Sequence, residues 1–182
     1  MPSYSLLKAR QRRERGTWPD NLSIRVHRSL SWLQRSELCD DDDGTFLFSW
    51  ISFNAAYAQE VTETPRVAER ARYGAFVEKL VTLDRDQRLY QLSWSEFSGA
   101  FRVLLANKYV FSAFWDYQAD LCEEHEWRET FRLANTAANK ALAKGDTAVI
   151  LAIVLSRLYV LRNQLMHGGA PWNGAINREQ VR

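Results

Sequence analysis

An all-α fold, a single helical bundle of about six to eight helices, is what this sequence predicts. Apolar residues recur every three or four positions in stretch after stretch, no run alternates apolar and polar residues as a half-buried strand does, and only 8 Gly and 4 Pro interrupt 182 residues. A mass of 21.2 kDa suits one compact domain with a real hydrophobic core. A composition of 46% hydrophobic and 25% charged residues, with 7 Trp and 9 Phe, excludes the disordered and fibrous classes.

Residues 1–19 read as a basic arm ahead of a helical domain over 20–182. Residues 1–38 hold eight basic and three acidic side chains and the remainder 16 and 19, so the overall charge of +2 is unevenly spread. Such an arm either touches phosphates electrostatically or is a solvated, mobile terminus. Its charges are interleaved through Lys8, Arg10, Arg12, Arg13, Glu14 and Arg15 with no apolar core behind them, which is not the pattern of a secretory signal. The longest uninterrupted apolar run, 148–155, is far shorter than the roughly 20 residues that span a bilayer, so no membrane partner is expected. Cys39 and Cys122 are too few for a disulfide framework, and a reducing cytoplasm is the expected compartment.

The first helix starts from a cap at Asp20 or Asn21 and carries Leu22, Val26, Leu30 and Leu33 on one stripe, ending near Leu38. Phe46, Trp50, Phe53 and Tyr57 form the stripe of a second, with Leu47, Ile51 and Ala55 beside them, so this helix is expected to be central and buried on most sides. A break at 62–65 precedes a third, surface-exposed helix through Val67, Ala71, Gly74, Val77 and Val81. Ser93 and Glu96 have the spacing of a capping box, and aromatic helical turns continue through Phe114 and Trp115. Trp127, Phe131, Ala134, Ala138 and Ala141 mark a further helix that Gly145 ends, and Asp146 caps the next. That last complete helix spans about 147–167 on Ile150, Val154, Leu158, Leu161 and Leu165, until Gly168, Gly169 and Pro171 stop it. Residues 177–182 look like the first turns of another helix, as though the C-terminal helix were cut short.

The end of the 147–167 helix carries the chemistry. Asn163 and His167 are four residues apart and share a face, while Arg162, about 100° round the axis, reaches the same ground with a long side chain. Arginine holds a phosphate through two parallel donors, and an imidazole titrates near neutral pH, so the trio suits phosphodiester chemistry. The helix C-terminal dipole favours the imidazolium of His167. Arg and His in a last turn are equally ordinary caps for orphan carbonyls, and spacing alone leaves both readings open.

The hexapeptide Arg-Asn-Gln-Leu-Met-His that holds Arg162, Asn163 and His167 resembles the Arg-x4–6-His signature of the HEPN superfamily, in which a polar residue, commonly Asn, follows the Arg. The setting is similar too: a late helix of an all-helical domain, and an earlier aromatic helix around Trp50, Asn54 and Tyr57 like that of several HEPN subfamilies, the Apea-like and large bacterial ones among them. The resemblance implies a metal-independent endoribonuclease that works as a homodimer, its two motifs facing one cleft, in antiviral defence or as a toxin. RNA is then the substrate, an antitoxin or companion defence protein a further partner, and no cofactor or metal is needed. His167 is implied as general base or acid, Arg162 as the group that neutralises the phosphorane, and Asn163 as the residue that orients the phosphate or His167. Many HEPN domains are catalytically inactive RNA-binding or dimerisation modules, which is the alternative the resemblance carries. The tyrosine that some HEPN toxins place after the histidine, for modification by an antitoxin, is missing: Gly168, Gly169, Ala170, Pro171 and Trp172 follow here.

Other signals point to structure. The four aspartates at 40–43 lack the alternate spacing of a calcium loop and read as a solvated loop that favours the start of the next helix. His125 has no second histidine four residues on, and Cys39 and Cys122 lack a Cys-x-x-Cys partner, so a surface imidazole and two packed thiols are expected. Asn54 is expected to bond a neighbouring helix end rather than face a cleft, and Trp50 and Tyr57 to be core rather than base-stacking platforms.

Overall fold

The helical punctuation of the sequence becomes nine α-helices in the computed structural model, which describes residues 3–57 and 66–174; no strand occurs among them. They are α1 (Tyr4–Glu14), α2 (Asp20–Glu37), α3 (Asp42–Tyr57), α4 (Arg66–Leu83), α5 (Arg88–Gln91), α6 (Ser98–Ala106), α7 (Ser112–Gln118), α8 (Glu124–Lys144) and α9 (Thr147–Met166). The break at 62–65 and the helical turns expected over 177–182 lie outside the described residues. The fold class is therefore all-α, with one helix more than the top of the expected range. The chain divides into two compact units, one of residues 1–65 with 170–182 and one of residues 66–169.

In the first unit α2 and α3 form an antiparallel pair whose contact is built on small hydroxyl residues. Ser52 Oγ donates to the Ser29 carbonyl at 2.8 Å, and Ser36 Oγ donates to the Thr45 carbonyl at 3.0 Å and lies 2.7 Å from Ser49 Oγ. Serines at these positions let the backbones approach and satisfy their own hydroxyls in doing so. The expected stripe on α2 faces inward, with Leu30 buried and Leu22, Val26 and Leu33 half-buried. On α3, Trp50 and Ser52 are buried while Thr45 and Ser49 are exposed. The aspartate run meets the start of α3 as expected, but it is not a solvated loop throughout: Asp41 accepts from the Gly44 amide at 2.7 Å, while Asp43 is buried in the first turn of the helix and accepts from the Asn173 amide at 2.7 Å. Residues 4–14 of the basic arm are a helix laid along α2, with Tyr4 N donating to Glu37 at 2.7 Å and Gln11 buried.

The second unit is centred on α9, which packs against α4, α6 and α8. Its expected boundaries stand: Asp146 Oδ1 accepts from the Val149 amide at 3.1 Å, and Gly168, at φ 70°, takes the left-handed conformation that lets the chain turn away. Gly145, at φ 67°, ends α8 in the same way. Ile150, Val154 and Leu161 of the stripe are buried, and so are Arg157, Tyr159, Val160 and Gln164, so α9 is enclosed over much more than one face.

Two expectations are corrected. Ser93 and Glu96 do not form a capping box: Leu92–Glu96 is a π-helical turn following α5, and Ser93 is buried within it. The capping box lies at Glu123, whose carboxylate accepts from the Glu126 amide while its own amide donates to Glu126 at 2.8 Å. The third helix, α4, is not simply a surface element, because Tyr73 and Val77 are buried. Thr147–Met166 also has the length and composition of a membrane span, a test that the core helix of a bundle passes as well.

Candidate functional site

The polar trio at the end of α9 is held by the helix that carries it. The His167 amide donates to the Asn163 carbonyl at 3.0 Å, which closes the last turn and sets both residues on one face. Arg162 Nη1 donates to Asn163 Oδ1 at 2.8 Å, and its guanidinium carbon lies 5.7 Å from the centre of the Tyr159 ring. Arg162 and Asn163 are half-buried and His167 is exposed.

Asn163 and His167 open onto a pocket of about 220 Å³, which Tyr159 and Gln164 of α9 and Ser112, Trp115 and Asp116 of α7 also line. Arg162 is joined to the pocket through its bond to Asn163 and is not itself one of the lining residues. The wall opposite α9 is fixed by one carbonyl, that of Tyr109, which accepts from Gln164 Nε2 and from Trp115 Nε1, the latter at 2.7 Å. Gln164 is buried, so this double bond ties the start of α7 firmly to the last turns of α9. Lys108 adds a cation nearby, its ammonium 5.1 Å from the Tyr109 and Phe114 ring centres.

The pocket gathers an imidazole, an amide, a serine hydroxyl and a tryptophan edge, with one guanidinium behind, and the Asp116 carboxylate on its lining is the one group that would repel an anion. Sequence reasoning found Asn163 and His167 and missed Ser112, Trp115, Asp116 and Tyr159. Tyr159 was within reach, because it precedes Asn163 by one turn as Asn163 precedes His167. Residues 112, 115 and 116 share a face of α7 by the same rule, but nothing local says which helix that face meets.

The discounted signals settle into structural places. Asn54 Oδ1 accepts from the Tyr57 hydroxyl at 2.7 Å, within its own helix rather than across to a neighbour. Trp50 is buried in the aromatic row of Phe46, Phe53 and Tyr57. His125 is exposed. Both cysteines are half-buried free thiols, and burial, followed by the carboxylates of Glu126, Asp116 and Glu123, pushes the Cys122 thiol above its ordinary value and away from reactivity. Among the described residues no group of three or more His, Cys, Asp and Glu side chains is placed to hold a metal ion. No family model, no curated protein and no solved structure matches the chain.

Proposed function

We propose that this chain is a HEPN-type, metal-independent endoribonuclease that acts as a homodimer in a cytoplasmic defence or toxin-like role. The observation that carries the reading is the coupling of the motif residues: Arg162 is hydrogen-bonded to Asn163, and Asn163 and His167 line one pocket. With Oδ1 engaged by Arg162, the amide NH₂ of Asn163 remains to bond a phosphate oxygen. The remaining N–H groups of Arg162 stand behind it to offset the charge that builds on the phosphorane.

In this reading the ribose 2′-hydroxyl attacks the adjacent phosphorus, its proton passing to a base, while the bond to the 5′-oxygen breaks and that oxygen takes a proton. The products are a 2′,3′-cyclic phosphate and a 5′-hydroxyl. One imidazole serves as base or as acid in a given step, and a second copy of the chain brings the other. Dimerisation thereby acquires a chemical purpose. RNA is the substrate, an antitoxin or companion defence protein is the regulatory partner, and no metal or cofactor enters the reaction.

A second reading, a catalytically silent HEPN-like binding and dimerisation module, is favoured by the absence of Arg162 from the pocket lining and by its contacts with Asn163 and Tyr159, which a structural arginine would also make. Incubation of the purified chain with total RNA in EDTA separates the two. The nuclease reading expects cleavage by the wild type and none by His167→Ala or Arg162→Ala. Intact RNA with all three folded proteins, bound but uncut, overturns it in favour of the module.

A further inference from the structure

Arg157 is a charge buried without a counter-charge among the described residues. It is 3% exposed and belongs to no ion pair among the described residues. Nη2 donates to Asn135 Oδ1 at 3.2 Å, and the guanidinium carbon sits 4.2 Å from the Phe111 ring centre and 5.4 Å from that of Phe131. Nη1 is buried and has no hydrogen-bond acceptor. Ring faces and one neutral amide compensate a guanidinium only in part, and a buried arginine ordinarily stands opposite a carboxylate.

The same residue lines a pocket of about 450 Å³ between α8 and α9, roughly twice the size of the one at His167. Its walls are otherwise mostly apolar, with small side chains at Ala134, Ala137 and Ala152, larger ones at Tyr73, Phe111 and Val160, and the hydroxyls of Ser112 and Ser156 on the lining. Alanines on both walls leave open the room that larger apolar side chains would fill in a core built only to be packed. An apolar slot with one cation at its wall complements a molecule with an apolar body and one negative end. A carboxylate matches the single guanidinium in charge and in its two-pronged geometry, whereas a phosphate dianion would leave one charge unmatched in apolar surroundings.

We infer that the pocket between α8 and α9 binds a small amphipathic carboxylate, an aliphatic or aryl acid whose body lies against the alanines and whose carboxylate pairs with Arg157. This site adjoins the pocket at Asn163 and His167, sharing Ser112 and Val160 with it, but contains none of Arg162, Asn163 and His167 and does not depend on the nuclease reading.

Calorimetric titration of the full chain with octanoate, octan-1-ol and octylamine tests it, alongside Arg157→Met and Ala152→Phe, each checked for folding by circular dichroism. Octanoate is expected to bind saturably and at least about tenfold more tightly than octan-1-ol, the loss expected when a charge-assisted bond is removed, and octylamine is expected not to bind. Arg157→Met is expected to erase the preference for octanoate, and Ala152→Phe to abolish binding by filling the slot. Absence of saturable octanoate binding, equal affinity for acid and alcohol, or unaltered octanoate binding in Arg157→Met overturns the inference. Should Arg157→Met not fold, the acid-to-alcohol ratio and Ala152→Phe decide, and octanoate binding retained by Ala152→Phe is then the contradicting result.

Discussion

His167, which caps the C-terminus of α9, and Arg157 within that helix are both polar groups, and their surroundings assign them opposite tasks. His167 is exposed at the helix end, where removal of its ring leaves no cavity and no buried orphan. His167→Ala is therefore expected to change stability by no more than about 0.5 kcal/mol while lowering RNA cleavage by about a hundredfold or more, as read by thermal melting and by cleavage rate on the same samples. Arg162 differs, because it bonds Asn163 at 2.8 Å. Lysine in its place keeps the charge but loses the planar fork, so Arg162→Lys is expected to remain strongly impaired, and wild-type rates in that variant would sink the role given to arginine. Burial holds Arg157 well below the ordinary arginine range, at about 10. A depression of that size opposes folding at neutral pH by on the order of 3 kcal/mol, because the unfolded chain keeps the proton more readily. The ring contacts with Phe111 and Phe131 return about 1–2 kcal/mol of it. Without ligand, Arg157→Met is thus expected to melt no lower than wild type and about 1–2 kcal/mol higher in stability, as the lone buried charge is lost. A clear drop in melting temperature would show that the guanidinium is compensated within the chain.

Caps and turns govern what can be predicted of the helices. Asp146→Ala removes the side-chain acceptor for the Val149 amide and is expected to cost about 1 kcal/mol in denaturant unfolding. Gly145→Ala, at φ 67° and with ordinary contact room against Tyr90, is expected to cost a similar amount, about 1 kcal/mol, through backbone strain alone. In α1 the Glu14 carboxyl lies below its ordinary 4.5, chiefly through the hydrogen bond from Arg10, with further help from Arg13. Its support of the helix is present above 4.5 and is lost as the pH falls through the lowered value, so the protection of the α1 amides relative to their intrinsic exchange rate at each pH should decrease in acid, and Glu14→Gln should remove that decrease. Boundaries marked by local chemistry were legible in the sequence, which is why Gly145, Asp146 and Gly168 place α8 and α9 correctly. The helicity of 4–14 was not, because Leu6 and Leu7 supply little apolar signal and the helix docks through a buried glutamine. Ser93 and Glu96 had the spacing of a capping box and belong instead to a π-helical turn, whereas Glu123 performs a task that residue preference assigns to serine or aspartate. The candidate site divides in the same way. Asn163 and His167 could be paired from their spacing along one helix, but Ser112, Trp115 and Asp116 join them only because the Tyr109 carbonyl ties α7 to α9, a non-local contact that no local pattern encodes.

For the whole molecule, the proposed reaction is one that a single copy of the chain completes only with a second. Light scattering is expected to show particles of twice 21.2 kDa at the concentrations that support cleavage, and activity from a species that stays at 21.2 kDa would contradict the shared cleft. RNA binding should weaken steeply with salt, since phosphate contacts carry most of its affinity. The long apolar helix α9 is committed to packing within its own unit against α4, α6 and α8, and it presents the motif residues only at its last turn. The whole functional reading therefore rests on what that turn does to a phosphodiester. The most direct measurement is to cleave a defined RNA in EDTA and determine the chemistry of the fragment ends. Fragments ending in 2′,3′-cyclic phosphate and beginning with a 5′-hydroxyl, absent with His167→Ala, are the predicted result; fragments bearing 3′-hydroxyl and 5′-phosphate ends, or cleavage that His167→Ala leaves intact, would contradict it.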